Sequence, residues 1–289
     1  MRSIKAFLFA VAIMFGSGAG AQYVPAKPAV ATIWPNNAPG LGSRRMEPEI
    51  AKDYWVRNIH NPSLTIYRPA HQNGAAMIVI PGGGHKEIVW TTEGVNVGPA
   101  LNRYGLTVFV LKYRLFREEG STSTVEDAEA DVRRAIRWVR AHAADYGVDP
   151  HRLGIMGFSA GGELVSLVAD NHAAEPSPVL DAVDRIGDRP DFQVLIFPGP
   201  LGVPANNIAD APPAFIAAGT LDDCCAAPAV ALYEQLRKGG RDAELHMYAG
   251  AGHAFNLDES SRISILHWPD RLADWLADEG FLDEKRASR

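Results

Sequence analysis

One serine in this chain has the sequence surroundings of a nucleophile. Gly157, Ser159 and Gly161 have the spacing G-x-S-x-G, between a predicted buried strand at 153–156 and a predicted amphipathic helix at 163–170. A sharp turn from strand to helix strains its corner residue, and the flanking glycines leave room for that turn. The pattern predicts a Ser159 hydroxyl exposed above a sheet, at the positive end of a helix. The alternative, a plain turn of small residues, loses ground because the partners of a nucleophile are also present.

A serine alcohol is a weak nucleophile, so it needs a histidine base that is itself oriented by a carboxylate. Of nine histidines, His253 lies in a glycine-containing loop just past the last predicted strand, where an imidazole can reach over the sheet end. His246 falls inside that strand, whereas His142 and His172 fall on helices, and all three are interpreted as structural or solvated. His253 is therefore the candidate base.

Two adjacent aspartates, Asp222 and Asp223, follow the predicted strand at 214–218. We favour Asp222 as the orienting acid, and we expect the other aspartate to bond its own backbone in the turn. The order serine, aspartate, histidine along the chain is one of the known orders of a catalytic triad.

A glycine triplet, Gly82, Gly83 and Gly84, follows the apolar strand predicted at 75–80. Such a turn leaves backbone N–H groups free to bind the oxyanion of an acyl-transfer intermediate, and the N–H of Ala160 completes the pocket. A phosphate-binding loop is disfavoured, because no lysine and hydroxyl pair follows the glycines.

The elements that must position these groups follow from the alternation of the sequence. A short antiparallel pair at a sheet edge is predicted at 54–59 and 64–68, and a long helix at 123–146 with a capping box from Ser123 to Glu126. The predicted strands are 75–80, 107–111, 153–156, 192–197, 214–218 and 244–248, and the other predicted helices are 93–104, 163–170, 227–238 and 263–279. This pattern predicts an α/β protein with a mostly parallel sheet and helices on both faces. The short connection after the strand ending at 197 leaves room for a minimal lid only.

Composition narrows the function classes. The 289 residues are 47% hydrophobic and 21% charged, as in a globular protein, and the net charge of −6 without a basic run argues against nucleic-acid binding. The only cysteines, Cys224 and Cys225, are adjacent. A disulfide between neighbours closes a strained ring, so two free or buried thiols are expected, and no metal site.

The first residues resemble a secretory signal peptide at 1–21. Arg2 and Lys5 precede an apolar run at 6–15 that is too short to span a bilayer, and 19–21 reads Ala-Gly-Ala, an A-x-A cleavage pattern. We therefore expect a periplasmic or secreted chain without membrane attachment after cleavage. Residues 22–51, rich in proline, glycine and asparagine, are predicted to form an extended arm over a single domain at 52–289.

Taken together, these motifs resemble an α/β-hydrolase esterase, and more narrowly its acetyl xylan esterase-like, xylanase-associated branch. The motifs that carry the resemblance are Gly-Phe-Ser-Ala-Gly-Gly at 157–162, Pro-Gly-Gly-Gly-His at 81–85, the Asp222 loop and Gly-His-Ala-Phe at 252–255. Further echoes are Glu-Gly at 93–94, Lys-Tyr-Arg-Leu at 112–115, Glu-Asp-Ala at 126–128, Tyr-Gly-Val-Asp-Pro at 146–150 and Glu-Leu-His-Met-Tyr at 244–248. The likeness runs from about residue 32 to residue 276; Cys224-Cys225 departs from it, standing where proline and aliphatic residues often follow the acid.

The resemblance implies that Ser159 is the nucleophile, His253 the base and Asp222 the acid, with Gly83, Gly84 and Ala160 as oxyanion donors. It also implies two-step acyl transfer without metal or organic cofactor, on a small-molecule or carbohydrate ester that carries a small acyl group. The alternatives are a serine peptidase or a general short-chain esterase on the same scaffold, and a non-catalytic binding protein. Against the last, the chain keeps both the serine and the histidine in context.

Overall fold

The computed structural model describes residues 28–40, 46–171, 180–257 and 262–282. The predicted signal peptide at 1–21, the arm residues 22–27 and 41–45, and His172 lie outside the described residues. The strands are β1 (Ala29–Thr32), β2 (Ile50–Lys52), β3 (Trp55–Arg57), β4 (Ser63–Tyr67), β5 (Ala76–Ile80), β6 (Ile88–Val89), β7 (Thr107–Lys112), β8 (Leu153–Phe158), β9 (Phe192–Ile196), β10 (Ala214–Gly219) and β11 (Ala243–Tyr248). The α-helices are α1 (Val97–Asn102), α2 (Val125–Ala141), α3 (Ala143–Tyr146), α4 (Ala160–Ala169), α5 (Ala226–Lys238), α6 (Ile263–Leu266) and α7 (Trp268–Asp278).

The main sheet has eight strands in the order β1-β4-β7-β5-β8-β9-β10-β11. The six strands from β7 to β11 in this order run parallel to one another, whereas β4 pairs antiparallel with both β7 and β1 at one edge. A separate sheet joins β2, β3 and β6. The predicted α/β class with a mostly parallel sheet is confirmed.

Helices cover both faces of the main sheet, because its central strands are apolar on both sides. In β5, Ile78 and Ile80 pack in one core with α2, α4 and α5, whereas Met77 and Val79 pack in a second core with α1 and α7. All five residues of β5 are buried, as expected of a parallel strand between two helical layers. Among the residues that the structure describes, no helix is both long and apolar enough to cross a bilayer.

Part of the predicted arm is built into the domain. Strand β1 pairs with β4 in the main sheet, and Ile33 and Trp34 behind it are buried. The indole N–H of Trp34 donates a hydrogen bond of 2.8 Å to Asp131 on α2, and Asp131 also accepts from the buried Arg114 guanidinium. These contacts anchor the beginning of the described chain to the long helix.

Two local predictions are wrong. The segments predicted as one antiparallel pair belong to different sheets: β3 pairs with β2 and β6, whereas β4 pairs with β1 and β7. Partner choice depends on residues distant in sequence, which a local alternation pattern does not contain. The capping box of α2 is formed by Thr124 and Asp127, one residue after the predicted pair.

The connection between β9 and β10, at 197–213, contains one short 3₁₀ turn (Ile208–Asp210) and no α-helix, which agrees with the minimal lid that was predicted. Because β5, β8, β10 and β11 are parallel, the loops that follow them meet at one edge of the sheet. Those four loops carry the glycine triplet, Ser159, Asp222 and His253.

Candidate active site

Ser159 stands at the corner between β8 and α4 with φ 50° and ψ −116°, a conformation that a non-glycine residue rarely adopts. Its N–H donates to the Ile196 carbonyl of β9 at 3.0 Å, which fixes the corner to the next strand. A side chain at Gly161 would collide with the carbonyl of Ile80, and one at Gly157 with the backbone of Gly161. The glycines of the motif are thus required by the close approach of β8, β5 and α4.

The three predicted triad residues form one hydrogen-bonded chain. Ser159 Oγ lies 3.0 Å from His253 Nε2, and His253 Nδ1 lies 2.8 Å from Asp222 Oδ2. An ionised carboxylate accepts only, so Nδ1 carries the proton and Nε2 is left to accept from the serine hydroxyl. The geometry is that of a base held in the tautomer that can activate Ser159. The catalytic roles of these residues stay a prediction.

Backbone contacts between the loops after β10 and β11 bring Asp222 and His253 together. The Leu221 N–H donates to the Ala251 carbonyl at 2.8 Å, and the Gly250 N–H donates to Thr220 Oγ1 at 2.8 Å. The ring of Phe197 then packs edge-on against the His253 imidazole, with 4.9 Å between ring centroids. Sequence reasoning missed this aromatic support, because Phe197 was predicted only as the end of a strand.

The structure separates the two candidate acids. Asp222 is 3% exposed and its second oxygen, Oδ1, accepts from the Cys225 N–H at 3.1 Å, so both oxygens are engaged. Asp223 is exposed to solvent. A buried carboxylate with hydrogen bonds to both oxygens suits the role of orienting the histidine, whereas an exposed one does not.

The glycine triplet lies on the other side of Ser159 in the sheet order. Gly83 and Gly84 have φ of 121° and 64°. A side chain at Gly82 would collide with the Cβ of Ser159, so the loop passes close to the serine. Among the described residues, neither the Gly83 nor the Gly84 N–H group donates a hydrogen bond, and the N–H of Ala160 is at the first turn of α4, where no helical acceptor exists. The three predicted oxyanion donors are thus available for a ligand, and their role stays a prediction.

Two buried polar groups hold the loop from behind, and neither received a role from the sequence. The Gly82 N–H donates to Glu93 Oε2 at 2.7 Å, and the Tyr113 hydroxyl donates to the Pro81 carbonyl at 2.9 Å. Burial raises the pKa of the Glu93 carboxyl to about 7, against the lowering effect of the Gly82 hydrogen bond. Burial, followed by the nearby carboxylates of Glu93 and Glu163, raises the pKa of the Tyr113 hydroxyl far above its ordinary range. The motifs containing Glu93 and Tyr113 were part of the resemblance, which was the available signal.

A second buried pair joins the glycine loop to the helix of the nucleophile. His85, which follows the triplet with φ 61°, contacts Glu163 of α4 through Nε2 and Oε2 at 2.7 Å. Its ring also stacks on Phe116, with centroids 4.3 Å apart. A buried side-chain contact therefore connects the loop to the first turn of α4.

The expectation of two thiols at Cys224 and Cys225 is wrong, because the structure has a disulfide between them. It lies at the start of α5, directly after the acid, and Cys224 Sγ is 3.7 Å from His253 Nδ1. Steric strain disfavours a disulfide between neighbouring residues but does not forbid it, and the turn between Asp222 and α5 accommodates the pair.

The two competing histidines that the structure describes, His142 and His246, are elsewhere. His246 lies within β11, 2.6 Å from Glu244, and His142 stacks on Trp138 at the end of α2. Both have local partners away from Ser159, in line with their interpretation as structural residues.

Comparison with known proteins gives one family match and several similar esterases. The BD-FAE family model matches residues 64–183, a region that includes the glycine triplet and Ser159 but ends before Asp222 and His253. An acetylxylan esterase of Xylanibacter ruminicola is 32% identical over 135 residues, which are 47% of this chain and 25% of that protein. The matched region thus spans about a quarter of that relative's length.

Solved structures match over most of the chain. An acetyl ester-xyloside bifunctional hydrolase of Caldicellulosiruptor lactoaceticus has a TM-score of 0.70 and 25% identity, covering 90% of this chain and 99% of that one. A propionate-bound Thermogutta terrifontis esterase has a TM-score of 0.69 and 23% identity over 90% and 97% of the two chains, and it bears on the fold alone. The resemblance drawn from the motifs is confirmed by these matches.

Proposed function

Starting from the α/β-hydrolase fold of this chain and its similarity to esterases, we propose that it is a serine carboxylic ester hydrolase. The observation that carries the proposal is the continuous hydrogen-bonded chain from Ser159 through His253 to Asp222. At its Ser159 end, this chain lies beside a glycine loop in which two N–H groups donate no hydrogen bond among the described residues. Candidates for the nucleophile, its base, the orienting acid and the oxyanion donors thus occur together at one sheet edge.

The geometry supports a two-step reaction. His253 Nε2 takes the Ser159 proton as Oγ attacks the ester carbonyl, and the negative charge on the carbonyl oxygen is bound by the N–H groups of Gly83, Gly84 and Ala160. The alcohol leaves with the proton from His253, and the acyl group remains on Oγ. A water molecule then gives its proton to the same histidine, attacks the acyl carbon and releases the acid.

We further propose that the substrate is a small acyl ester, such as an acetyl ester, carried by a carbohydrate, and that the enzyme acts outside the cytoplasm. The names of the Xylanibacter and Caldicellulosiruptor relatives support the substrate class. The short β9–β10 connection supports a small acyl group, since it has no α-helix to form an apolar cover for a long chain. The signal-like residues 1–21 support export.

A panel of p-nitrophenyl esters of rising acyl length, assayed beside acetylated xylan, tests the proposal. We expect kcat/KM to be highest for acetyl or propionyl esters and acetate to be released from the xylan. Preference for long acyl chains would contradict the proposed carbohydrate ester substrate but not the proposed ester hydrolysis. Hydrolysis of a dipeptide amide in preference to every ester would favour a peptidase instead, and a Ser159→Ala variant with full activity would contradict the mechanism.

A further inference from the structure

The disulfide after the catalytic acid has no role in the proposed reaction, although it touches the catalytic histidine. Cys224 is exposed and Cys225 is fully buried, and their sulfurs lie at the same corner as Asp222 and His253. One potential ligand atom from each of these four residues lies within 4.8 Å of all the others. Two sulfurs, an imidazole nitrogen and a carboxylate oxygen are together a ligand set for zinc-class ions.

We propose that reduction of the Cys224–Cys225 disulfide creates a site for a divalent ion of the zinc class, Zn²⁺ or Cd²⁺, that switches the hydrolase off. Zinc binds thiolate at about 2.3 Å and imidazole nitrogen at about 2.0 Å, so ligands of one ion lie within about 4.6 Å of each other. All four atoms already lie within 4.8 Å of one another, and the two bonded sulfurs must move apart to flank one ion. Breaking the S–S bond frees both sulfurs to turn toward the centre of the group.

The steps balance. A dithiol reductant supplies two electrons and two protons, which convert the disulfide to two thiols while the dithiol becomes its own disulfide. The metal ion then displaces both thiol protons to solvent, because only the thiolates bind it. It also takes the Nδ1 lone pair of His253, whose single ring proton moves through solvent to Nε2.

The consequence for catalysis follows from which nitrogen the metal occupies. Nδ1 faces Asp222 and Cys224, whereas Nε2 faces Ser159. With the ion on Nδ1 and the proton on Nε2, the imidazole can no longer accept the serine proton. The oxidised protein has no thiolates to offer, so the disulfide form stays active in the presence of the metal ion. An exported enzyme would keep it in an oxidising compartment.

Metal binding is tested first without turnover, in the Ser159→Ala background, so that it does not depend on the proposed function. Protein reduced with a phosphine and desalted under argon is titrated with Cd²⁺, and thiolate-to-cadmium charge-transfer absorption is recorded. We expect a band that saturates at one ion per chain in the reduced protein and is absent from the oxidised protein. No band after confirmed reduction, or an equal band without reduction, would overturn the proposal.

Inhibition is tested with the unmodified active site and a p-nitrophenyl acetate assay. We expect micromolar Zn²⁺ to lower the rate of the reduced enzyme by about 10³-fold or more at saturation, since the base is lost, and a chelator to restore it. The oxidised enzyme and a Cys224→Ser/Cys225→Ser variant, each compared with its own metal-free rate, should not respond. Should the buried Cys225 substitution prevent folding, Cys224→Ala alone at the exposed position serves as the control. Equal inhibition of the cysteine variant, or none of the reduced enzyme, would refute the switch.

Discussion

The triad and the glycine loop lie on opposite sides of β8 and are held in different ways. Asp222 and His253 lie on the loops after β10 and β11, and the histidine side chain is 39% exposed. The glycine loop after β5 is held by Glu93 and Tyr113, which are almost completely buried. One side of the site faces solvent and the other faces the core.

The difference matches what each side does in the proposed reaction. A base that passes a proton from serine to alcohol and then from water to serine must be reachable from solvent. Donors for an oxyanion act best when they are fixed before the reaction and need no reorganisation. The buried carboxylate of Glu93 supplies such fixation to Gly82 at a cost in stability, because burial opposes its ionisation.

The substitution with the largest expected effect is at Ser159, the proposed nucleophile on the solvent-facing side of the site. Ser159→Ala should lower kcat by about 10⁶-fold, as loss of a serine nucleophile does in other triad enzymes. The measurement is kcat on p-nitrophenyl acetate, with circular dichroism to show that the fold is retained. Residual activity within about tenfold of the parent would mean that another group attacks the ester.

The next effect tests which aspartate belongs to the triad. Asp222→Asn should lower kcat by about 10⁴-fold, because the amide favours the wrong histidine tautomer. Asp223→Asn is the matched control one residue further along, at an exposed position, and its kcat should be unchanged. A larger loss in the control than in Asp222→Asn would reassign the acid.

A smaller effect tests the buried side. Glu93→Ala removes the acceptor of the Gly82 N–H and should lower kcat by about 10²-fold, the scale of one lost oxyanion-hole donor, with KM little changed. Glu93→Gln keeps an acceptor oxygen and should recover most of the activity. This rescue distinguishes positioning of the loop from a general loss of stability.

Asp170 provides the control for that variant. It ends α4, at the opposite end of the helix from Ser159, and burial raises the pKa of its carboxyl to about 7, as for Glu93. Asp170→Asn should therefore change stability without changing kcat. If both substitutions lowered kcat alike, the role of Glu93 in positioning would be excluded.

The smallest effect is on stability. The pKa of Glu93 is about 7 in the folded protein against an ordinary 4.5, so the folded state binds more protons between these values. Stability from this group is therefore lost as pH rises from 4.5 to 7, by at most about 3 kcal/mol. Glu93→Gln should remove that loss. The free energy of unfolding of the variant, relative to that of the parent, should therefore be higher at pH 8 than at pH 4. Denaturant unfolding at the two pH values measures this difference. The prediction would be contradicted if the free energy of unfolding changed with pH equally in the variant and the parent.

The two regions also differ in how far the sequence revealed them. Ser159, His253 and Asp222 were recognisable because nucleophile, base and acid each need a particular residue type just after a strand. Glu93 and Tyr113 were visible only as part of a familiar motif. Their function depends on which backbone groups they contact. Because carboxylates and tyrosines occur in many roles, the residue types alone do not reveal these contacts.

The same division applies to the fold. Alternating apolar runs predicted the parallel strands β5 and β7 to β11, because each buried strand must be apolar on both faces wherever it lies. The partners of β3 and β4 were mispredicted, and so was the disulfide at Cys224 and Cys225. Each depends on long-range neighbours or on the local turn geometry rather than on residue type.

Sequence alone determined the class of the fold and identified Ser159 and His253 as candidates to react, since both conclusions follow from chemistry that a residue carries with it. Only the tertiary structure decided that Asp222 rather than its neighbour meets His253. It also decided that a buried carboxylate holds the glycine loop, and that two cysteines lie against the base. The physical reason is that burial and hydrogen-bond partners are properties of a position in space, which the folded chain alone defines.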